Sequence, residues 1–195
     1  MQHTLTELMS SRICHDLISP VGAIGNGLDL ISEVSGHTPE LELIGQSAHT
    51  AQAKLKFFRV AFGAGGACQI GGPEAQRVAS EMFSMGRLSI SFSSGWGDRE
   101  RGLVKLFYLL LLCTESSLPR GGEIICAPTN SGWEIRVSGS SVNPQEALWN
   151  HVLNGAELEA LTAKNIHFTL ARNCLIEKSM TLSAEIRDDS FVLSF

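Results

Sequence analysis

The sequence predicts an α+β protein in which a helical hairpin precedes a domain of mixed helices and strands. Apolar residues recur at spacings of three and four from Leu5 to about residue 62, which is the period of an amphipathic helix. The segment at 63–73, "GAGGACQIGGP", then places five glycines and a proline in eleven positions. Beyond it, alternating and helical periods follow one another to the end of the sequence. We therefore expect two domains, at 1–66 and 67–195.

The composition is that of a globular protein, with 44% hydrophobic and 18% charged residues among 195. The net charge of −5 comes without a basic cluster, which argues against nucleic-acid binding. The first residues show no secretory signal, and the longest apolar stretch, "LVKLFYLLLLC", is too short to cross a bilayer. The five cysteines are scattered without a CxxC pair, so we expect them to be reduced. Together these features predict a cytoplasmic protein without a nucleic-acid or membrane partner.

The hairpin has a well-marked turn. Gly36 follows the first helical series, and Thr38 before Pro39 is typical of an N-cap with proline at the first helical position. One hairpin has too few neighbours to cover the apolar faces of both helices. We therefore expect residues 1 to about 66 to form half of a dimeric four-helix bundle.

The second domain alternates helical and strand patterns. Its segment "RERGLVKLFYLLLLCTESSL" is apolar almost all round and predicts a buried helix. Strand patterns occur in "RLSISFSS", in the hairpin "GEIICAPTNSGWEIRVSG" and in "MTLSAEIRDDSFVLSF", which turns at Asp188 and Asp189. Three shorter helices are predicted in "PEAQRVASEMFS", "QEALWNHVL" and "AKNIHFTLARNCLIEKS". We expect a mainly antiparallel sheet with helices on one face.

The stretch "RICHDLISPVGAIGNGLDLI", residues 12–31, contains residues that disfavour a helix. Each glycine costs about 1 kcal/mol relative to alanine in a helix interior. Pro20 leaves the carbonyl of Asp16 without its usual partner and should bend the helix. His15 is two residues from both Ile13 and Leu17, so it should point away from the apolar stripe.

The helix face that carries His15 is made of small and polar residues. Such a face is unsuited to the hairpin's own core, and missing side chains would let a partner's helix approach an exposed imidazole. From the residues alone, a surface histidine without a chemical role is the commoner alternative. The other members of this face, at spacings of three and four, are Arg12, Ser19, Gly22, Asn26 and Asp29.

The segment "HDLISPVGAIGNGLDLI" resembles the phosphoacceptor box of histidine kinases. Together with "LKFFRVAFGAGG", residues 55–66, it makes the whole sequence similar to ChpT-type histidine phosphotransferases of bacterial two-component signalling. The resemblance implies a homodimeric four-helix bundle in which each chain carries a degenerate, histidine-kinase-like (Bergerat-type) α/β sandwich domain. It also implies a phosphorelay in which His15 takes a phosphoryl group from one receiver-domain aspartate and passes it to another.

The same resemblance suggests roles for the neighbours of His15. Asp16 is expected to hydrogen-bond near the ring and leave Nε2 free, and Ser19 to contact phosphoryl oxygens or the receiver. Arg12, Gly22 and Asn26 are expected to support docking. The implied partners are receiver domains of a hybrid histidine kinase and of response regulators. The protein needs no cofactor of its own, since Mg²⁺ should come with the receiver.

A working histidine kinase is the nearest rival interpretation. Its buried helix carries an asparagine that helps to hold Mg²⁺ on the nucleotide, but this sequence has Cys113 there, and a thiol is a poor Mg²⁺ ligand. The kinase's next box needs an aspartate, whereas "SGSSVNP" at 138–144 has no carboxylate. The Pro-x-Gly-Gly turn that follows the asparagine in a kinase is present here at 119–122. We therefore expect no ATP binding; a degenerate kinase, or a scaffold that docks receivers without chemistry, remains the alternative.

Other candidate sites are weaker. A Cys14–His15 catalytic dyad is not expected, because adjacent helical residues point in different directions. The three tryptophans are more often core or rim residues than a binding platform. The other histidines show no ligand spacing, so no metal site is expected: His3, His37, His49, His151 and His167.

Overall fold

The computed structural model describes residues 5–36, 38–84, 86–130, 132–187 and 189–195. The chain divides into two compact units, Met1–Gly66 and Ala67–Phe195. The described part of the first unit is helical and the second combines helices with a sheet, so the α+β class is confirmed. His3, His37 and Asp188 lie outside the described residues.

The first unit is the predicted helical hairpin, formed by α1 (Leu5–Ser35) and α2 (Pro39–Ala61). The hydroxyl of Thr38 accepts a hydrogen bond from the backbone N–H of Leu41 at 3.3 Å, and Pro39 occupies the first turn of α2. Gly36 has φ +81°, the left-handed conformation that commonly ends a helix. The predicted turn is therefore confirmed.

The buried residues of the hairpin are mostly small, with the larger Phe57 and Val60 beside them: they include Cys14, Gly25, Gly45, Ala53 and Ala61. The backbone N–H of Ala64 donates to the hydroxyl of Ser11 at 3.2 Å. Most large apolar side chains of the hairpin are exposed, and the following are all at least 45% exposed: Leu8, Met9, Ile13, Leu17, Ile24, Leu30, Ile31, Val34, Leu43 and Ile44. We call this set the apolar row. Within the described ranges, no helix has the length and apolar character needed to cross a membrane.

The second unit follows the predicted order of elements. Every helix and strand expected from the sequence is present, and a short pair of two-residue strands is added. The elements are β1 (Gln69–Ile70), α3 (Gly72–Phe83), β2 (Leu88–Phe92), β3 (Arg99–Glu100), α4 (Arg101–Ser116), β4 (Gly122–Pro128), β5 (Trp133–Ser138), α5 (Glu146–Asn154), α6 (Ile166–Glu177), β6 (Ser183–Ile186) and β7 (Ser190–Ser194).

The larger sheet has the strand order β2-β4-β5-β7-β6. β2 and β4 are parallel, with the buried helix α4 between them in sequence, and the other neighbours are antiparallel. The prediction of a mainly antiparallel sheet is confirmed. β1 and β3 form a separate antiparallel pair, which is too short to produce a periodic pattern in the sequence.

The helices cover one face of this sheet, as predicted. Ile124 and Ile135 are buried on that face, while Glu123 and Arg136 are exposed on the other. Aromatic contacts join the helices to the strands: Phe107 of α4 and Trp133 of β5 have ring centroids 4.9 Å apart. The sheet therefore has one buried face and one solvent-exposed face.

Candidate functional site

His15 lies on α1 and points into solvent, as its position relative to the apolar residues predicted. Its side chain is 76% exposed. Cys14, the preceding residue, is buried, and burial raises the pKa of its thiol. A thiol that is buried and protonated beside an outward imidazole does not form a catalytic dyad, in agreement with the sequence prediction.

Asp16 contacts the imidazole of His15. Its Oδ1 lies 3.1 Å from Nδ1 of His15. Hydrogen bonding from His15, with a further contribution from Arg12, lowers the pKa of the Asp16 carboxyl below its ordinary value. An ionised carboxylate can only accept hydrogen bonds, so in the neutral ring this contact places the hydrogen on Nδ1 and the lone pair on Nε2. The arrangement leaves a nucleophilic nitrogen facing solvent.

Arg12 contacts the other oxygen of the same carboxylate. Its Nε donates to Oδ2 of Asp16 at 2.7 Å. Arg12, Asp16 and His15 are linked by hydrogen bonds within one turn of α1, because residues separated by three and four positions share a helix face. The sequence placed Arg12 on this face, but it did not reveal that Arg12 and His15 share Asp16.

Ser19, Asn26 and Asp29 are exposed on α1, as expected of a docking face. Asp29 also lies across the hairpin from His49, with Oδ1 and Nε2 3.4 Å apart. Helical spacing on α1 alone could not have revealed this contact, because its second member belongs to α2.

Gly22 lies next to α2 of its own chain. An added Cβ there would lie 2.9 Å from Nε2 of Gln52, the far end of a flexible side chain. Gly25 is buried nearby against the ring of His49. The expected docking part of Gly22 stays a prediction.

Pro20 lies inside α1, and the helix continues through it to Ser35. Since proline has no N–H, the backbone carbonyl of Asp16 lacks its usual helical donor. That unpaired helical position is only one residue from His15. The expected bend at Pro20 stays a prediction.

In the second unit, the residue at the position where a working histidine kinase carries its Mg²⁺-binding asparagine is Cys113. Cys113 is fully buried in α4, and burial raises the pKa of its thiol well above the ordinary value. The segment after β5 is bonded directly to the end of the same helix: the N–H of Asn143 donates to the carbonyl of Ser117 at 2.9 Å. Trp149 adds a bond from its Nε1 to the hydroxyl of Ser117, also at 2.9 Å.

Backbone packing explains why the turn at 119–122 contains two glycines. Gly121 has φ +86°, and a Cβ there would overlap the backbone carbonyl of Arg87. A Cβ on Gly122 would meet the carbonyl of Ser138 on the neighbouring strand. Both glycines are therefore required by the close approach of backbone segments.

Two further features bear on binding. A cavity of about 500 Å³ lies beside α5 and β6, with Trp149, Leu153 and Ile186 in its lining. Across the part of the chain that the structure describes, no three His, Cys, Asp or Glu side chains gather as a metal site.

Trp133 and Trp149 are buried and Trp96 is half-buried, so the tryptophans are core and rim residues as predicted.

Comparison with known proteins identifies the family of the chain. The family model "Histidine phosphotransferase C-terminal domain" matches residues 72–190. The protein phosphotransferase ChpT of Brucella abortus (strain 2308) is 38% identical over 143 residues, which are 72% of this chain. The chain belongs to the ChpT-type histidine phosphotransferases. Those residues cover 64% of the Brucella protein, so the chain spans less than two thirds of that relative's length.

Solved structures are similar to this chain as well. A bacterial phosphotransferase matches with a TM-score of 0.72 and 31% identity, covering 94% of this chain and 91% of the other. The histidine kinase domain from Erythrobacter litoralis EL346 blue-light activated histidine kinase has a TM-score of 0.47 and 10% identity, over 95% and 90% of the two chains. The first of these supports the fold over nearly the whole chain.

Proposed function

We propose that this protein is a phosphorelay intermediate that carries a phosphoryl group between receiver-domain aspartates on His15. The observation that carries the proposal is the exposed imidazole whose Nδ1 is held by Asp16, which leaves Nε2 free. Membership of the ChpT-type family supports it, since the similar Brucella protein is a protein phosphotransferase.

The transfer step follows from the tautomer. The lone pair of Nε2 attacks the phosphorus of a receiver's phospho-aspartate; the N–P bond forms as the P–O bond to the aspartate breaks, and the carboxylate leaves. Nδ1 keeps its hydrogen throughout. The ring then carries positive charge, which the Asp16 carboxylate stabilises across the 3.1 Å contact. The reverse steps deliver the group to a second receiver.

The partners in this scheme are the receiver domain of a hybrid histidine kinase and those of response regulators. The receiver would bring the Mg²⁺ that offsets phosphoryl charge. Ser19 and Asn26, both exposed on α1, would lie at the receiver interface. Gly22, on the same helix, would support docking.

The hairpin is proposed to pair with a second copy in a four-helix bundle. The apolar row is the support for this: it is too long to be left in water in a stable monomer. A closed dimer would bury the part of the row opposite His15 on α1, which contains Ile13, Leu17, Ile24 and Ile31, and leave the His15 face outward.

The second unit is proposed to lack ATP binding. Cys113 offers a buried, protonated thiol where a Mg²⁺ ligand is needed, and Asn143 and Trp149 bond to Ser117 at the end of the same helix. We also propose a cytoplasmic location, supported by the free thiols of Cys14, Cys68, Cys113 and Cys126.

Phosphotransfer between two purified receivers tests the function. One receiver, phosphorylated with radiolabelled acetyl phosphate and freed of donor, is mixed with the protein and a second receiver; a parallel reaction contains labelled ATP alone. We expect label to pass through the protein in the first reaction and no label from ATP. His15→Gln should abolish passage, and Asp16→Asn should slow it less.

Two results would reject the proposal. Transfer at the native rate in a folded, dimeric His15→Gln variant would favour a scaffold that only docks receivers. Label taken directly from ATP would instead favour a degenerate kinase that retains activity.

A further inference from the structure

We propose that Arg12 is a positioning residue for phosphotransfer, acting on His15 through the carboxylate of Asp16. The inference rests on the proposed function of His15. It assigns to Arg12 a part in setting the imidazole tautomer, in place of the docking part expected from its position on the helix.

The carboxylate of Asp16 has two oxygens and each has a separate partner. Oδ2 accepts from Nε of Arg12 at 2.7 Å, while Oδ1 faces Nδ1 of His15 at 3.1 Å. Rotation about χ2 of an aspartate is broad, so an exposed carboxylate held at one oxygen turns easily. Arg12 supplies the second point of attachment and fixes the plane of the carboxylate against the ring.

The spacing makes this arrangement local to α1. Arg12 and Asp16 are four residues apart and His15 is adjacent to Asp16, so one helical turn brings all three together. The side chains of Arg12 and His15 are 77% and 76% exposed. Neither side chain is held in place by burial. Their orientation relative to each other therefore depends on the carboxylate of Asp16, which contacts both.

The consequence for His15 is chemical. With Asp16 fixed and ionised, Nδ1–H has a strong acceptor and Nε2 keeps its lone pair for attack. Without Arg12, the carboxylate turns more often toward water and the ring more often places its hydrogen on Nε2. A ring with hydrogen on Nε2 is not nucleophilic at that atom, so the rate falls with the population of the correct tautomer.

The direct test is ¹⁵N NMR of the imidazole in the full-length, unphosphorylated protein at pH 8. The His15 signals are assigned as those missing from His15→Gln. We expect hydrogen on Nδ1 to dominate in the unmodified protein, and a clear shift toward hydrogen on Nε2 in Arg12→Gln, with transfer slowed about threefold, the size expected of a surface ion pair. Arg12→Lys should restore part of both, because lysine keeps the charge but lacks the planar guanidinium.

Arg77 provides a matched control. It is also an exposed helical arginine paired with acids three and four residues away, Glu74 and Glu81, but on α3 of the second unit. Arg77→Gln should leave the tautomer and the transfer rate unchanged. Because the NMR measurement needs no receiver, it separates tautomer control from loss of docking.

The outcomes distinguish the two proposals. An unchanged tautomer in Arg12→Gln, with His15→Gln inactive, overturns the positioning role alone, even if Arg12→Gln slows transfer by weakening docking. Normal transfer by His15→Gln overturns the proposed function and with it the role of Arg12 in transfer. A tautomer shift in Arg12→Gln, with slower transfer and partial rescue by Arg12→Lys, supports the positioning role.

Discussion

Nε1 of Trp149 donates a hydrogen bond to the hydroxyl of Ser117 at 2.9 Å. The bond ties α5 to the end of α4, close to the position where a working kinase would hold its Mg²⁺ ligand. The indole is 2% exposed, and its ring centroid lies 5.7 Å from that of Phe168 and 5.6 Å from that of Phe191. The indole of Trp149 is therefore packed between α4, α6 and the sheet in the core of the second unit.

The first prediction concerns nucleotide binding. Titration of the protein with Mg-ATP should give no heat of binding, because a buried, protonated Cys113 thiol lies where we expect the metal ligand of a kinase, and a thiol is a poor Mg²⁺ ligand. Millimolar Mg-ATP should also leave the melting temperature unchanged, since only a ligand that binds the folded state raises it. A dissociation constant in the micromolar range would contradict this and revive the kinase interpretation.

The second prediction concerns the apolar row. Ile24 is 56% exposed on α1, and Ile176 is 59% exposed on α6 of the second unit. Ile24→Glu should weaken dimerisation by at least about tenfold, because it places a charge in the proposed interface. Ile176→Glu should keep the native mass. Light scattering at micromolar concentration measures both, and an unmodified protein that is monomeric there would contradict the bundle.

The hairpin shows which parts of the fold were predictable from the sequence. Its helices and turn follow from local signals, namely the apolar period, Gly36 and Thr38 with Pro39. The faces of α1 were harder to assign, because the helix has two different contact directions. Many of its large apolar residues are exposed, while Gly22 and Gly25 face α2. A single hydrophobic direction cannot distinguish a contact within the chain from a surface for another chain.

The site was predictable as a set of residues and not as a geometry. Helical spacing was sufficient to place His15, Arg12 and Ser19 on one exposed face. The sharing of Asp16 between Arg12 and His15 depends on side-chain rotamers, which spacing does not determine. The bonds from Asn143 and Trp149 to Ser117 join segments distant in sequence and were not predictable from local patterns.

The third prediction tests whether backbone packing requires glycine at position 121, in the turn at 119–122. Gly121→Ala should lower the unfolding free energy by at least about 1–2 kcal/mol, because alanine is strained at positive φ and its Cβ would overlap the carbonyl of Arg87. Gly27 is the control, since a Cβ there meets nothing within 4 Å. Gly27→Ala should stabilise α1 by up to about 1 kcal/mol. Urea unfolding at fixed protein concentration measures both, and a neutral Gly121→Ala would contradict the assignment.

The fourth prediction concerns a buried histidine in the second unit. Nε2 of His167 lies 3.1 Å from the hydroxyl of Ser116, and burial lowers the pKa of His167 to about 4. In the unfolded chain this pKa is about 6.5, so between those values the unfolded state binds more protons. Stability should therefore be complete above about pH 6.5 and should fall as the pH drops toward 4, by at most about 3 kcal/mol.

The matched variants for this fourth prediction are His167→Gln and His15→Gln. Glutamine at 167 can still donate to Ser116 but does not titrate, so the decline in unfolding free energy between pH 6.5 and 4.5 should become shallower. His15→Gln removes an imidazole that is 76% exposed and should keep the native decline. Urea unfolding at intervals across this range gives the slopes. Equal slopes in His167→Gln and the unmodified protein would show that acid sensitivity arises elsewhere, because the proton uptake of His167 would then make no measurable contribution.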